Sequence, residues 1–238
     1  MTPRNKEVAH AIHAPVLSTT LLAGVHELNR NYVDMLIARP FARSIELGAL
    51  PEKILQALAR LPAAARSRLA ATPFALYTLR FDDQQFWRTA LGDLVADRDD
   101  SLDYYCAPSV SPAITFTEMA LFLAWHTAVV SRVATRVLFA MPDALAKRFA
   151  ATPFWRLRRI ASDYPGLLLP RWSANPCFWP DLVHFAAESN WERLETAQLL
   201  GTQLIAVELD ETLELESRVM RGRSARIDVT KTRDRRKL

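Results

Sequence analysis

One stretch of this chain comes back later in the same chain, and that limits the folds open to it. Leu47–Trp87, LGALPEKILQALARLPAAARSRLAATPFALYTLRFDDQQFW, returns as Leu138–Trp179, LFAMPDALAKRFAATPFWRLRRIASDYPGLLLPRWSANPCFW. At a spacing of 91 residues the two copies align without a gap as far as an arginine. Leu47 meets Leu138, Pro51 meets Pro142, Ala59 meets Ala150, Pro62 meets Pro153, Ala70 meets Ala161, Leu76 meets Leu167 and Arg80 meets Arg171. After one inserted residue, Phe86-Trp87 meets Phe178-Trp179. A second match, RLAATPF at Arg68–Phe74 against RFAATPF at Arg148–Phe154, lies at a spacing of 80. It is denser but local. The longer spacing keeps helix starts, apolar positions and the aromatic ending together, and a repeat of this kind decides the architecture before any single element does.

Only 6 of 238 residues are glycine while 14 are proline, so helix is the default and proline the punctuation. Proline fits the first helical turn, where its missing N–H is not needed. Pro51, Pro62, Pro142 and Pro153 therefore each open a short helix. Ser18 or Thr19 caps a first long helix reaching about Ala38. Leu21, Leu22, Val25, Leu28, Tyr32, Met35 and Leu36 form its apolar stripe at helical spacing. Leu76–Phe81 alternates and reads as a short extended piece, with Asp82 or Asp83 capping the helix that carries Phe86 and Trp87. Residues 113–140 read as one long helix. A last helix over 190–216 points Leu194, Ala197, Leu200, Leu204, Val207 and Leu215 at the core, and its acidic end opposes the helix dipole and frays.

The expected fold is all-α: two similar helical units packed as an internal pseudo-dimer, built from long helices and short proline-started ones. The units are residues 18–96 and 113–216. A flexible N-terminus (1–17), a linker (97–112) rich in Asp and Pro, and a disordered basic tail (217–238) surround them. The tail holds Arg218, Arg221, Arg223, Arg226, Lys231, Arg233, Arg235, Arg236 and Lys237 against Asp228 and Asp234. With few apolar groups it cannot build a core.

Lys and Arg number 30 against 26 Asp and Glu, a net charge of +4, too small to mark the whole chain as nucleic-acid binding. Cys106 and Cys177 stand far apart and outside any metal spacing, which fits a reducing compartment. The first residues lack the apolar run of a signal peptide. The most apolar stretch, Ala113–Val130, carries Glu118 and His126 and reads as a core helix and not a membrane span. The expected location is cytoplasmic.

Catalytic patterns are scarce. The glycines are isolated, so there is no phosphate loop, and no H-E-x-x-H occurs. His10 and His13 lack a carboxylate or thiol beside them. Asp82-Asp83 suits a cap better than acid–base work. His126 stands two turns from Glu118, too far for partnership, and reads as a core or groove histidine. The expectation is a non-enzyme with no cofactor and no metal. Two features carry binding: the aromatic clasps Arg80, Phe81, Phe86, Trp87 and Arg171, Trp172, Phe178, Trp179, read as closing each unit's core or as a partner surface; and the basic tail, which could neutralise phosphates.

Three motifs resemble one family. His26-Glu27-x-Asn29-x-x-Tyr32, then Leu47-Gly48 followed by Glu52, then Arg80-Phe81-Asp82-Asp83-x-Gln85-x-Trp87 are similar to the flagellar transcriptional activator FlhD. The resemblance covers about Leu21–Leu91, with a weaker copy over Ala113–Leu209. It implies small all-helical dimeric units that act with an FlhC-like subunit at promoters, with DNA as a candidate partner. Here two such units would be fused, supplying both halves of a dimer on one chain. Where the family often carries a bridging cysteine, this chain has Tyr77 and Leu168. The expected function is FlhD-like transcription regulation through protein contacts. The alternative is a cytosolic adaptor or accessory component of a secretion or motility apparatus.

Overall fold

A computed structural model describes residues 17–38, 50–92 and 111–210. The N-terminal histidines, the linker as far as residue 110 and the basic tail lie outside them; the linker's last residues, Ser111 and Pro112, cap and open a helix. The protein is all-α, apart from one ladder of two short strands.

Helix α1 spans Thr19–Ile37 and starts where the Ser18 hydroxyl accepts from the Leu21 N–H at 3.2 Å. Helices α2 (Glu52–Arg60) and α3 (Ala63–Ala70) follow Pro51 and Pro62, which stand at the cap, one position before the helix. After strand β1 (Tyr77–Thr78), α4 (Gln84–Gly92) is capped by Asp83, whose carboxylate accepts from the Phe86 N–H at 2.9 Å. The second half runs in the same order: α5 (Pro112–Val130), α6 (Arg132–Phe139), α7 (Asp143–Ala150), α8 (Phe154–Asp163), strand β2 (Leu169–Pro170) and α9 (Phe178–Ala187). Helix α10 covers 191–210.

The long helix expected over 113–140 is broken at Ser131. Its backbone is extended (φ −154°, ψ 106°), its N–H closes α5 on Thr127, and its hydroxyl accepts from Ala134 to start α6. A serine whose hydroxyl supplies the acceptor that a first-turn N–H lacks can end one helix and open the next.

The two halves pack alike internally and lean on each other. Helix α1 lies on α2 and α3, and α5 lies on α7 and α8. Across the halves, α1 packs on α5, α4 on α7, and α9 on both α2 and α3. Each half's closing helix thus completes the other half's helical hairpin. One continuous core results, running from Val25 and Tyr32 through Trp87 and Phe149 to Trp179 and Ile205.

Strands β1 and β2 join antiparallel, with Tyr77 opposite Pro170 and Thr78 opposite Leu169. The chain beside them is tied in as well: Ala75 N–H donates to Leu138 O and Arg171 N–H to Leu76 O, both at 3.0 Å.

Helix α10 presents only part of the face expected: Leu204 packs against the core as expected, but the buried row shifts after Ala197. Leu194, Ala197, Gly201 and Ile205 are buried, while Leu200 and Val207 are exposed. Its register is set by Gly201, where an added Cβ would stand 2.2 Å from the Phe74 ring. The helix can approach Phe74 and Phe178 this closely only with no side chain at that position. Further along, Glu208 is held by Arg171 and Trp172, so this part of the acidic end is anchored and not frayed. Residues beyond 210 lie outside the description.

Candidate functional site

The two aromatic clasps have the same geometry. Each begins with a residue in the left-handed region, Arg80 (φ 54°) and Trp172 (φ 53°). Three residues on, Asp83 N–H donates to Arg80 O at 3.0 Å, and Asn175 N–H to Trp172 O at 2.9 Å. The side chains of Asp83 and Asn175 then accept from the N–H groups of Phe86 and Phe178, at 2.9 and 3.0 Å. The indole Nε1 of Trp87 donates to Leu79 O at 3.1 Å, and that of Trp179 to Arg171 O at 2.7 Å.

These pairs place the inserted residue before the arginine rather than after it. The counterpart of Arg80 is Trp172, and the counterpart of Arg171 is Leu79. The two arginines aligned in sequence therefore do different things. Arg80 is exposed and pairs with Asp83. Arg171 is 3% exposed, where Leu79 is buried in the other half.

Arg171 is the one buried ionic group among the described residues. Its Nη2 donates to Glu208 Oε2 at 2.7 Å and its Nη1 to Leu138 O at 3.1 Å. The Trp172 indole donates to the other carboxylate oxygen at 2.6 Å, and the guanidinium lies 4.5 Å over the Trp172 ring. Burial pulls the Arg171 pKa below its ordinary value, and the Glu208 charge opposes that shift. An arginine stays charged through such a shift, so the pair is a structural tie between α10 and the β2 turn.

Of the eight clasp residues, Phe81, Trp87, Arg171, Phe178 and Trp179 are buried, Phe86 and Trp172 are half-buried, and only Arg80 is exposed. Phe81 stacks on Trp87 at 5.4 Å, and both meet Phe149 of the other half edge-on. The clasps close the shared core and leave little for a partner to touch. The nine basic tail residues lie outside the described residues.

Asn29 does more than its place beside the apolar stripe implies. Its amide N–H groups donate to Ala70 O, Thr72 Oγ1 and Phe74 O at 2.8 to 3.2 Å, and its Oδ1 accepts from Leu76 N–H at 2.9 Å. This ties α1 to the segment leading into β1. His26, one turn earlier, hydrogen-bonds the Thr72 backbone, while burial lowers its pKa.

His126 is exposed, not in the core; its ring stacks on Phe122 at 6.3 Å. Glu118 pairs with Arg158 at 3.5 Å. Among the described residues no three His, Cys, Asp or Glu side chains stand where they could share a metal ion.

One exposed apolar surface among the described residues is the outer side of α5. Met119, Phe122, Val129 and Val130 are exposed there, Phe122 by 47% and Val130 by 69%. Beside them a groove of about 490 Å³ runs between α1, α5 and α8, with Leu28, Met119, Phe122, Leu123 and Phe154 in its walls. By length and hydropathy α5 is also the one described helix that could cross a bilayer. Its opposite side is packed on α1, α7 and α8. Neither a family model, nor a curated protein, nor a solved structure matches this chain.

Proposed function

We propose that this chain is a regulatory protein made of two fused FlhD-like units, acting in the cytoplasm through protein contacts with an FlhC-like subunit and on promoter DNA. The observation that carries the reading is the register of the strand ladder. In any antiparallel pair a local two-fold relates a residue to the one opposite it. Thr78 stands opposite Leu169, and 169 − 78 = 91, the spacing of the sequence repeat. In a fused dimer the one residue that lies on that two-fold faces its own equivalent, as Thr78 and Leu169 do, with the pair Tyr77–Pro170 flanking the axis. The reciprocal packing of α4 on α7 and of α9 on α2 supports the same picture.

The DNA part is tested by binding of the full chain to promoter DNA across a salt series, alone and with the partner subunit. Phosphate contacts lower log K linearly with log salt, by roughly 0.9 per phosphate neutralised. Salt-dependent binding is the expected result, and none under either condition overturns it.

A second reading, a cytosolic adaptor of a secretion or motility apparatus, is favoured by the uncharged exposed side of α5. Co-purification separates the two. A regulator-type subunit supports the first, and a stable membrane-complex partner supports the second.

A further inference from the structure

The little that the first clasp leaves at the surface is the counterpart of what α10 covers at the second. There Phe74, from the other half, lies 6.2 Å from the Phe178 ring and 5.3 Å from that of Trp172. Helix α10 closes over these rings. Gly201 passes Phe74 and Phe178, and seven residues on, Glu208 accepts from the Trp172 indole at 2.6 Å. At the first clasp Tyr164, again from the other half, meets the Phe86 ring edge-on at 4.9 Å, and the Arg80 guanidinium lies 5.6 Å over that ring. Phe86 and Arg80 are the counterparts of Phe178 and Trp172. Tyr164 stands one residue before the position that the repeat assigns to Phe74. Phe74 is fully buried, whereas Tyr164 is 42% exposed and the Arg80 side chain 44%.

The chain is too short to cover this site with its own copy of α10. That helix alone takes 20 residues, 191–210. Only 19 residues, 93–111, separate α4 from α5, and they must also carry the chain to the start of α5. We infer that the first clasp seats a helix of a partner protein, and that α10 displays the chemistry this helix carries. It is amphipathic, with glycine or another small residue where it crosses Tyr164 and Phe86, and a carboxylate about two turns further on. The carboxylate goes to Arg80. Arg80 gives Nη2 to Asp83, and its other two nitrogens have no partner among the described residues. Leu79 replaces the buried Arg171 here, so the contact is more exposed than that of Glu208 and is screened by salt. A helix laid in a groove is a general mode of protein recognition. The inference rests on the repeat within the fold and holds whatever process the partner serves.

The test uses a fluorescein-labelled peptide with the sequence of residues 190–210, titrated with the full chain and read by anisotropy up to millimolar concentration. Saturable binding is expected, weaker as salt is raised. Arg80→Glu weakens it by about ten-fold or more, the weight of one hydrogen bond to a charged group, with the melting temperature showing that the body is intact. Tyr164→Ala weakens it too. A peptide carrying Glu208→Lys binds the Arg80→Glu chain better than it binds the wild type. Absence of binding overturns the inference. So does binding indifferent to Arg80→Glu and Tyr164→Ala, which places the peptide at the second clasp in exchange with α10, and so does a charge-reversed pair with no recovery. Binding that appears only after residues 93–110 are replaced by Gly and Ser overturns it as well, assigning the first clasp to the chain's own linker.

Discussion

Thr78 lies directly across the ladder from Leu169, the residue that follows it by one repeat. The ladder is only two residue pairs long, so its hydrogen bonds contribute little stability by themselves. What it specifies is register. A slip by one residue would turn every neighbouring side chain to the other face and take Leu76, Tyr77 and Leu79, all buried, away from the partners they now pack against. A chain carrying Thr78→Cys and Leu169→Cys, with Cys106 and Cys177 replaced by Ser, is expected to form an intramolecular disulfide under mild oxidation. Thr78→Cys with Leu167→Cys is not. Mass spectrometry of the digest distinguishes them.

Gly201 against Phe74 gives the sharpest prediction on stability. In an exposed helix, alanine in place of glycine usually stabilises by about 0.4–1 kcal/mol. Gly92, whose added Cβ meets nothing within 4 Å, should behave that way. At Gly201 the new methyl would overlap the Phe74 ring, and overpacking of this kind costs about 1–3 kcal/mol. Urea unfolding of Gly92→Ala and Gly201→Ala should therefore give changes of opposite sign.

The Arg171–Glu208 pair should be asymmetric in the same way as other buried ion pairs. Removing one partner strands the other charge, at about 3–5 kcal/mol when both are buried. Glu208 keeps 33% of its side chain exposed, so the lower end of that range applies. Glu208→Gln and Arg171→Met are each expected to destabilise. Arg171→Met with Glu208→Gln should lose less than the sum of the two, because no charge is left unanswered. A double-mutant cycle in denaturant measures the difference.

His26 sets a pH dependence. Its pKa is lowered in the fold from 6.5, chiefly by burial, with the Thr72 hydrogen bond working the other way. The unfolded chain therefore takes up this proton more readily. Stability from this group is fully present above about pH 6.5 and is lost as the pH falls from there through the folded pKa. Melting temperatures measured between pH 7.5 and 5 should fall, and His26→Gln should flatten that slope.

Much of the architecture was legible because prolines and caps are local signals. Ser18, Asp83 and the four helix-opening prolines needed no tertiary knowledge. The stripe on α1 was legible for the same reason, since burial follows helical period. The failures share a cause: side chains whose partners are distant in sequence. Asn29 stood in the sequence only as one position of the His26-Glu27-x-Asn29-x-x-Tyr32 motif, with no role of its own, because its four partners lie 41 to 47 residues away. Glu208 looked like one of several acids at a fraying end, because Arg171 is 37 residues off. Gly201 carried a usable hint. A lone glycine inside a helical pattern costs stability unless something packs against it. The clasps were found, but whether they face the core or a partner depends on the other half, and the exposed side of α5 appears only once α1, α7 and α8 have taken up the opposite side.

The account rests on two halves that complete each other. Its most direct test is to place a specific protease site between residues 92 and 111 of the full chain, cleave it, and pass the product through a sizing column without denaturant. Because α4 is seated on α7 and α9 on α2 and α3, the two fragments should elute together at the size of the uncut chain and separate only when unfolded. Fragments that part and run as two folded, independent species would contradict it.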